Sequence, residues 1–197
     1  MVEDVGRFWD EHAATFDEQP DHGLRDAGVR AAWRELLLSL MPAAPAVVVD
    51  LGCGTGSLAV LLAQAGYAVC GVDLSGRMIG VAEEKARVGG VSVDWRRGDV
   101  AEPPCEAESC DVVLVRHVLW AMADPAAAVG RWCGLLRPGG RLVFVEGRWA
   151  TRAGLTAEQC QGLVLGHRRE ATVLKLDDPA LWGAVIEDER YAVVSRF

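Results

Sequence analysis

Between residues 50 and 56 the chain reads Asp50-Leu-Gly52-Cys53-Gly54-Thr-Gly56, and two more acids stand downstream at Asp73 and Asp99. Glycines let backbone approach a ligand with no Cβ in the way, and they tolerate positive φ. Carboxylates beside such a turn accept hydrogen bonds from hydroxyl, amine and ammonium groups. The spacing separates two kinds of ligand. Dinucleotide sites use G-x-G-x-x-G and seat a pyrophosphate on a helix N-terminus. Here the order is G-x-G-x-G, with an acid two residues ahead of the first glycine. An acid in that place repels a pyrophosphate and can accept from an ammonium group. Asp73, 17 residues beyond Gly56, is placed to take both hydroxyls of a ribose, and Leu74 follows it at the same edge. Asp99 can accept from an exocyclic adenine amine, with the Val100 N–H near a ring nitrogen.

A second set of residues has the types needed to handle protons. Four histidines and two tyrosines leave few candidates for a base. His117 follows an apolar run, and His22 sits in the break PDHGL (20–24) between two helical stretches. Histidine suits the role because its unperturbed pKa near 6.5 leaves it largely neutral at neutral pH. Arg116 either holds a carboxylate or packs at a sheet edge. Cys53 has the position of a nucleophile, but a small side chain accommodated in the turn explains it as well. The six cysteines show no C-x-x-C pair and no neighbouring histidine spacing, so no metal is expected.

These residues need a scaffold that brings them to one edge. Residues 46–51, 67–73, 91–95, 111–116 and 141–147 read as short apolar strands, separated by helical stretches at 57–66, 75–88 and 124–136. Asp124-Pro125 is an N-cap followed by proline at the first helical position. Alternating strands and helices imply right-handed crossovers and a parallel sheet covered on both faces, a doubly wound α/β fold. In such sheets ligands bind beyond the carboxyl ends of the strands, where the strand order reverses. Asp50, Asp73, Asp99 and the Arg116-His117 pair all fall at that edge. A helix at 156–166 and strands at 170–176 and 189–197 complete the chain. Ahead of the sheet, Val5, Phe8, Trp9, His12, Ala13 and Phe16 form one helical stripe. Val29, Ala32, Trp33, Leu36, Leu37 and Leu40 form another; both are expected to pack on the core. The chain divides into a helical cap over residues 1–41 and a ligand-binding core over 42–197.

An ammonium, a ribose diol and an adenine together describe S-adenosylmethionine (SAM). VVVDLGCGTG, GVDLSGRM, GDVAEP and LLRPGGRLVFVE resemble, in order and at matching intervals, the motifs of class I SAM-dependent methyltransferases. The resemblance spans roughly residues 40–150 and is nearest to small-molecule enzymes of the ubiquinone/menaquinone-biosynthesis type. It implies a Rossmann-like sheet of seven strands, mainly parallel, closed by a C-terminal antiparallel hairpin. It also implies SAM as cofactor, S-adenosylhomocysteine as product and a small-molecule acceptor, with oxygen or nitrogen favoured over carbon and specialised metabolism as the setting. The cofactor set is then Asp50, Gly52, Cys53, Gly54, Gly56, Asp73, Leu74, Asp99, Val100 and Arg116, with His117 and His22 catalytic. FWDEHAATFDEQPD resembles the entry segment such enzymes fold over the cofactor.

The 197 residues are 51% hydrophobic with 24% charged and a mean hydropathy of +0.15, which excludes global disorder and suits one domain. Net charge of −8 argues against nucleic acid as a partner. Residues 1–26 hold eight acids against two arginines, a charge run expected to be solvated. No basic leader and no apolar run of membrane-spanning length appear, so a cytoplasmic protein with no membrane partner is expected, and a homodimer stays open. Three rival readings accompany methyl transfer: a non-catalytic SAM-binding partner subunit, a SAM-bound enzyme with other chemistry, and a nicotinamide oxidoreductase. The last is disfavoured by the glycine spacing.

Overall fold

The computed structural model describes residues 2–196. Seven strands form one sheet: β1 (Val47–Leu51), β2 (Ala68–Asp73), β3 (Asp94–Arg97), β4 (Cys110–Arg116), β5 (Leu136–Arg148), β6 (Thr172–Lys175) and β7 (Glu189–Ser195). Their order is β3-β2-β1-β4-β5-β7-β6, and β7 runs antiparallel to both of its neighbours. The order reverses between β1 and β4, which opens the expected crevice at their carboxyl ends. Side chains alternate between the two faces along each strand. Val48, Val112, Leu114, Val143 and Val145 thus join one apolar core, and Val49, Leu51, Val113, Val115 and Phe144 the other.

The helices are α1 (Val2–His12), α2 (Pro20–Gly23), α3 (Ala27–Leu40), α4 (Ser57–Gln64), α5 (Gly76–Val88), α6 (Pro125–Gly134), α7 (Ala157–Leu165) and α8 (Pro179–Trp182). Their starts follow local chemistry. Asp26, Ser75 and Asp124 each accept from a backbone N–H three residues on, and Thr156 with Gln159 forms a capping box. On α3, Val29, Trp33, Leu37 and Leu40 are buried, and the Trp33 indole N–H donates to the Leu181 carbonyl at 2.7 Å. No helix among the described residues is long and apolar enough to cross a membrane.

The structure departs from the sequence reading in several places. β3 begins at Asp94 rather than at 91. Pro138-Gly139-Gly140 does not precede β5, which begins at Leu136 rather than at 141. It lies inside that strand, where Gly139 at φ 80° and a register shift opposite Cys110–Val112 absorb the irregularity. The break PDHGL contains a helical turn of its own, started by Pro20 and ended by Leu24 at φ 49°. Phe197, assigned to the last strand, lies outside the described residues.

Two corrections concern the N-terminal segment. Most of the first stripe does not face the core: Val5 and Phe8 are half exposed, and Ala13, just past α1, is its one buried residue. The acidic run is not simply solvated either. Asp10 accepts from the Ser75 hydroxyl and the Arg77 N–H, Asp17 from the Thr55 hydroxyl and Lys85 Nζ, and Asp21 from Arg116. Composition identifies the charge, whereas the partners come from elements more than thirty residues away.

Candidate active site

The carboxyl ends of β1, β2 and β4 open into a cavity of about 650 Å³. Its lining brings together Asp50, Gly52, Cys53, Gly54, Asp73, Leu74, Asp99, Val100, Arg116, His117 and His22. Gly56, the remaining candidate, is not in the lining. Its φ of 74° and the Trp95 ring, 2.6 Å from where a Cβ would stand, make it the pivot behind the turn. Gly52 is needed for a similar reason: at φ 73°, its missing Cβ would sit 2.3 Å from the Val118 side chain.

The two strand-end acids differ in kind. Asp50, on β1, is 3% exposed and accepts no hydrogen bond among the described residues. Burial pushes its carboxyl up to about 7, against a lowering pull from Arg116. A buried carboxylate without a donor fits a ligand that brings its own N–H groups. Asp73, at the end of β2, accepts from the Gly54 N–H at 2.8 Å and the Ser75 N–H at 2.9 Å. Each oxygen keeps a lone pair for a ligand hydroxyl, and the first bond ties the glycine turn to β2. Burial raises the Asp73 carboxyl, with its backbone donors pulling the other way.

Asp99 closes an Asx turn by accepting from the Ala101 N–H at 2.8 Å. The Val100 carbonyl next to it accepts from the buried Trp132 indole at 2.7 Å, which fixes this wall of the cavity. Cys53 lacks the marks of a nucleophile. Burial, then the charges of Asp50 and Asp73, push its thiol well above the ordinary range.

Arg116 lines the cavity, but its terminal nitrogens are engaged elsewhere. They bond the Asp21 carbonyl at 2.7 Å and carboxylate at 2.5 Å, and the guanidinium stacks 4.3 Å over the Trp33 ring. This pair joins the end of β4 to α2. Beside it, the His22 ring stacks on Phe16 at 4.3 Å. His117 follows β4 at φ 57°, its ring 5.2 Å from Trp149 and 6.3 Å from Trp182. His22 Nδ1 and His117 Nε2 are shut from solvent and have no hydrogen-bond partner among the described residues. Burial lowers both imidazoles, and Arg116 lowers His117 further, so both rings are neutral at neutral pH.

Asp21, His22 and His117 bring their polar atoms within 4.8 Å of one another, a spacing that a metal ion can use. The Asp21 carboxylate, however, is committed to the Arg116 guanidinium. The imidazole nitrogens left without a partner among the described residues are His22 Nδ1 and His117 Nε2, in an aromatic enclosure of Trp9, Phe16, Trp120 and Trp149, while His22 Nε2 lies 3.7 Å from the Asp21 carboxylate. Sequence reasoning did not single out Trp120 or Trp149 for the site, and Trp9, Phe16 and Asp21 entered it only within FWDEHAATFDEQPD, the segment that the resemblance folds over the cofactor. Helical periodicity by itself signalled Trp9 and Phe16 as an apolar stripe; that the stripe faces a cavity was implied by the resemblance alone.

Residues 49–144 match the model of the Methyltransferase domain family. Among curated proteins, the chain is 34% identical over 139 residues to the ubiquinone biosynthesis O-methyltransferase of Ralstonia nicotianae, covering 70% of this chain and 55% of that one. It is 38% identical over 98 residues to the enzyme of the same name from Hahella chejuensis, covering 49% and 41%. The chain thus spans about half the length of the curated relatives it matches. Among solved structures, magnesium protoporphyrin IX methyltransferase from Synechocystis superposes with a TM-score of 0.68 at 20% identity, over 87% of this chain and 81% of that one. The cyclase SpnF superposes with a TM-score of 0.71, also at 20% identity, over 84% and 79%. These two show a common fold. The ordered motifs, the strand order and the family match together support a class I SAM-dependent methyltransferase.

Proposed function

We propose that this chain transfers the methyl group of SAM to oxygen or nitrogen of a small-molecule acceptor, in specialised metabolism. The observation that carries the reading is Asp50, a buried carboxylate without a donor, facing the same cavity as the Asp73 carboxylate and the glycine turn. Asp50 would hold the ammonium group, Asp73 the ribose hydroxyls, and Asp99 with Val100 the adenine, with Gly52, Cys53, Gly54 and Leu74 forming the walls. Arg116 serves this end of the cavity through Asp21 rather than by a free guanidinium. Bound SAM supplies an electrophilic methyl carbon. The chain's own task is to hold the acceptor in line and to keep water out. Residues 1–41 act as the cap in this reading, since Trp9, Phe16 and His22 form the wall facing the glycine turn.

His117 is the proposed proton acceptor, with His22 opposite it. A neutral imidazole with an unpartnered, enclosed nitrogen can take the proton that an acceptor hydroxyl or amine loses. His117→Ala should then lower the single-turnover methylation rate by roughly 10²–10⁴ while leaving SAM affinity nearly unchanged. The six free thiols and the net charge of −8 support a cytoplasmic enzyme without a nucleic-acid partner.

The test has two stages. Calorimetric titration should show binding of SAM and S-adenosylhomocysteine and none of NAD(P). Labelled SAM supplied with an extract of the source organism should then yield a methylated small molecule, whose mass identifies the acceptor. Binding without turnover would favour a SAM-binding partner subunit. Consumption of SAM without methyl transfer, or a rearranged product, would favour the other chemistry. NAD(P) binding in place of SAM would overturn the cofactor assignment.

A further inference from the structure

We infer that Glu146 is a positioning residue, whose carboxyl oxygen holds the turn that presents His117 to the acceptor end of the cavity. Glu146 lies on β5 and is 0% exposed. Its Oε1 accepts from the Val118 N–H at 2.9 Å and the Leu119 N–H at 2.8 Å. The other oxygen, Oε2, is buried and has no partner among the described residues. The two accepted bonds fall immediately after the point where β4 leaves the sheet. Arg116 is the last β4 residue paired with β5, opposite Val145, and the His117 N–H donates to the same Val145 carbonyl at 2.9 Å. Between these anchors His117 adopts φ 57°, a left-handed conformation that a non-glycine residue keeps only when its surroundings impose it.

The clamped turn serves both ends of the cavity. One residue on from His117, the Val118 side chain fills the space that a Gly52 Cβ would need. A buried carboxyl is an expensive way to satisfy two N–H groups. Burial pushes Glu146 up to about 7, so the neutral acid is well populated near neutral pH and what matters is its oxygen, not its charge. Glutamine offers the same oxygen; leucine, of similar size, leaves both N–H groups stranded. The proposal rests on the reading of His117 as a catalytic residue, and the experiment keeps the two apart.

Glu146→Gln and Glu146→Leu are made in the full chain, alone and together with His117→Ala. The histidine ring signals are followed by NMR, that of His117 being assigned by its loss in His117→Ala. Methyl incorporation from labelled SAM into an extract of the source organism is measured in parallel. Glu146→Leu should displace the His117 signal and lower methylation about ten- to a hundredfold, the scale of a misplaced reacting group. Glu146→Gln should preserve both, and in the His117→Ala background leucine should cause no further loss. Should Glu146→Leu fail to fold, Glu146→Asp, which withdraws the oxygen by one methylene, is expected to show the same displacement and loss. A Gln variant as impaired as Leu, or an equal leucine effect in both backgrounds, would overturn the proposal. If His117→Ala leaves methylation unchanged, the catalytic reading fails, and the ring signal alone decides. A shift in Leu and not in Gln then upholds positioning, and an unmoved signal in Leu ends it.

Discussion

At the scale of single residues, Asp50 and Asp73 lie in one cavity wall but should answer different measurements. Asp73 already anchors the glycine turn through the Gly54 N–H, and its remaining lone pairs are the ones proposed for the ribose. Loss of charge-assisted bonds worth about 1.5–3 kcal/mol should make Asp73→Ala bind SAM roughly ten- to a hundredfold more weakly. Unchanged calorimetric affinity in a folded variant would remove Asp73 from the site. Asp50 should instead respond to pH. Its free carboxyl, held at about 7 by burial, must be ionised to accept from an ammonium group. Protons therefore compete with the ligand: affinity should be full above that value and decline by about tenfold per pH unit below it. Asp50→Asn should bind weakly and lose this slope. A flat profile in the wild type would mean that Asp50 does not meet the ammonium.

At the scale of elements, the N-terminal segment is pinned by three acids reaching three different parts of the core. Asp10 reaches the start of α5 and Asp17 reaches Lys85 and Thr55, while Asp21 holds the end of β4. Between those pins, Trp9, Phe16 and His22 line the cavity. A segment held by polar contacts over a pocket, rather than by a continuous apolar face, is built to open and close. We expect residues 8–24 to gain hydrogen-exchange protection when S-adenosylhomocysteine and acceptor bind. Asp17→Asn should raise exchange across the same residues. Equal protection with and without ligand would count against closure.

At the scale of the whole molecule, Trp33 joins α3, early in the chain, to α8, late in it, within one core on the same face of the sheet. It is fully buried on α3, donates to the Leu181 carbonyl of α8, meets Trp182 edge-on at 5.4 Å and supports the Arg116 guanidinium. Trp33→Phe keeps most of the ring but strands the Leu181 carbonyl, which should cost about 1–3 kcal/mol. Trp33→Ala adds the cavity and should cost about 3–5 kcal/mol. Urea unfolding would show both as a lower midpoint at a preserved slope. An unchanged midpoint in Trp33→Phe would mean that the indole bond contributes nothing.

The doubly wound sheet and the meeting of the glycine turn with the strand-end acids at one cavity were legible in the residues themselves. Strand hydrophobicity, glycine spacing and acids at strand ends are local features, and one crossover rule carries them all to the same edge. The contacts that build the rest of the cavity were not legible. That Arg116 serves Asp21 and that Glu146 clamps the turn after β4 depend on contacts between residues 27 to 95 positions apart. A side chain's type fixes what it can bond with. Its partner is chosen by the packing of elements that neither residue encodes alone, and there the tertiary structure decided.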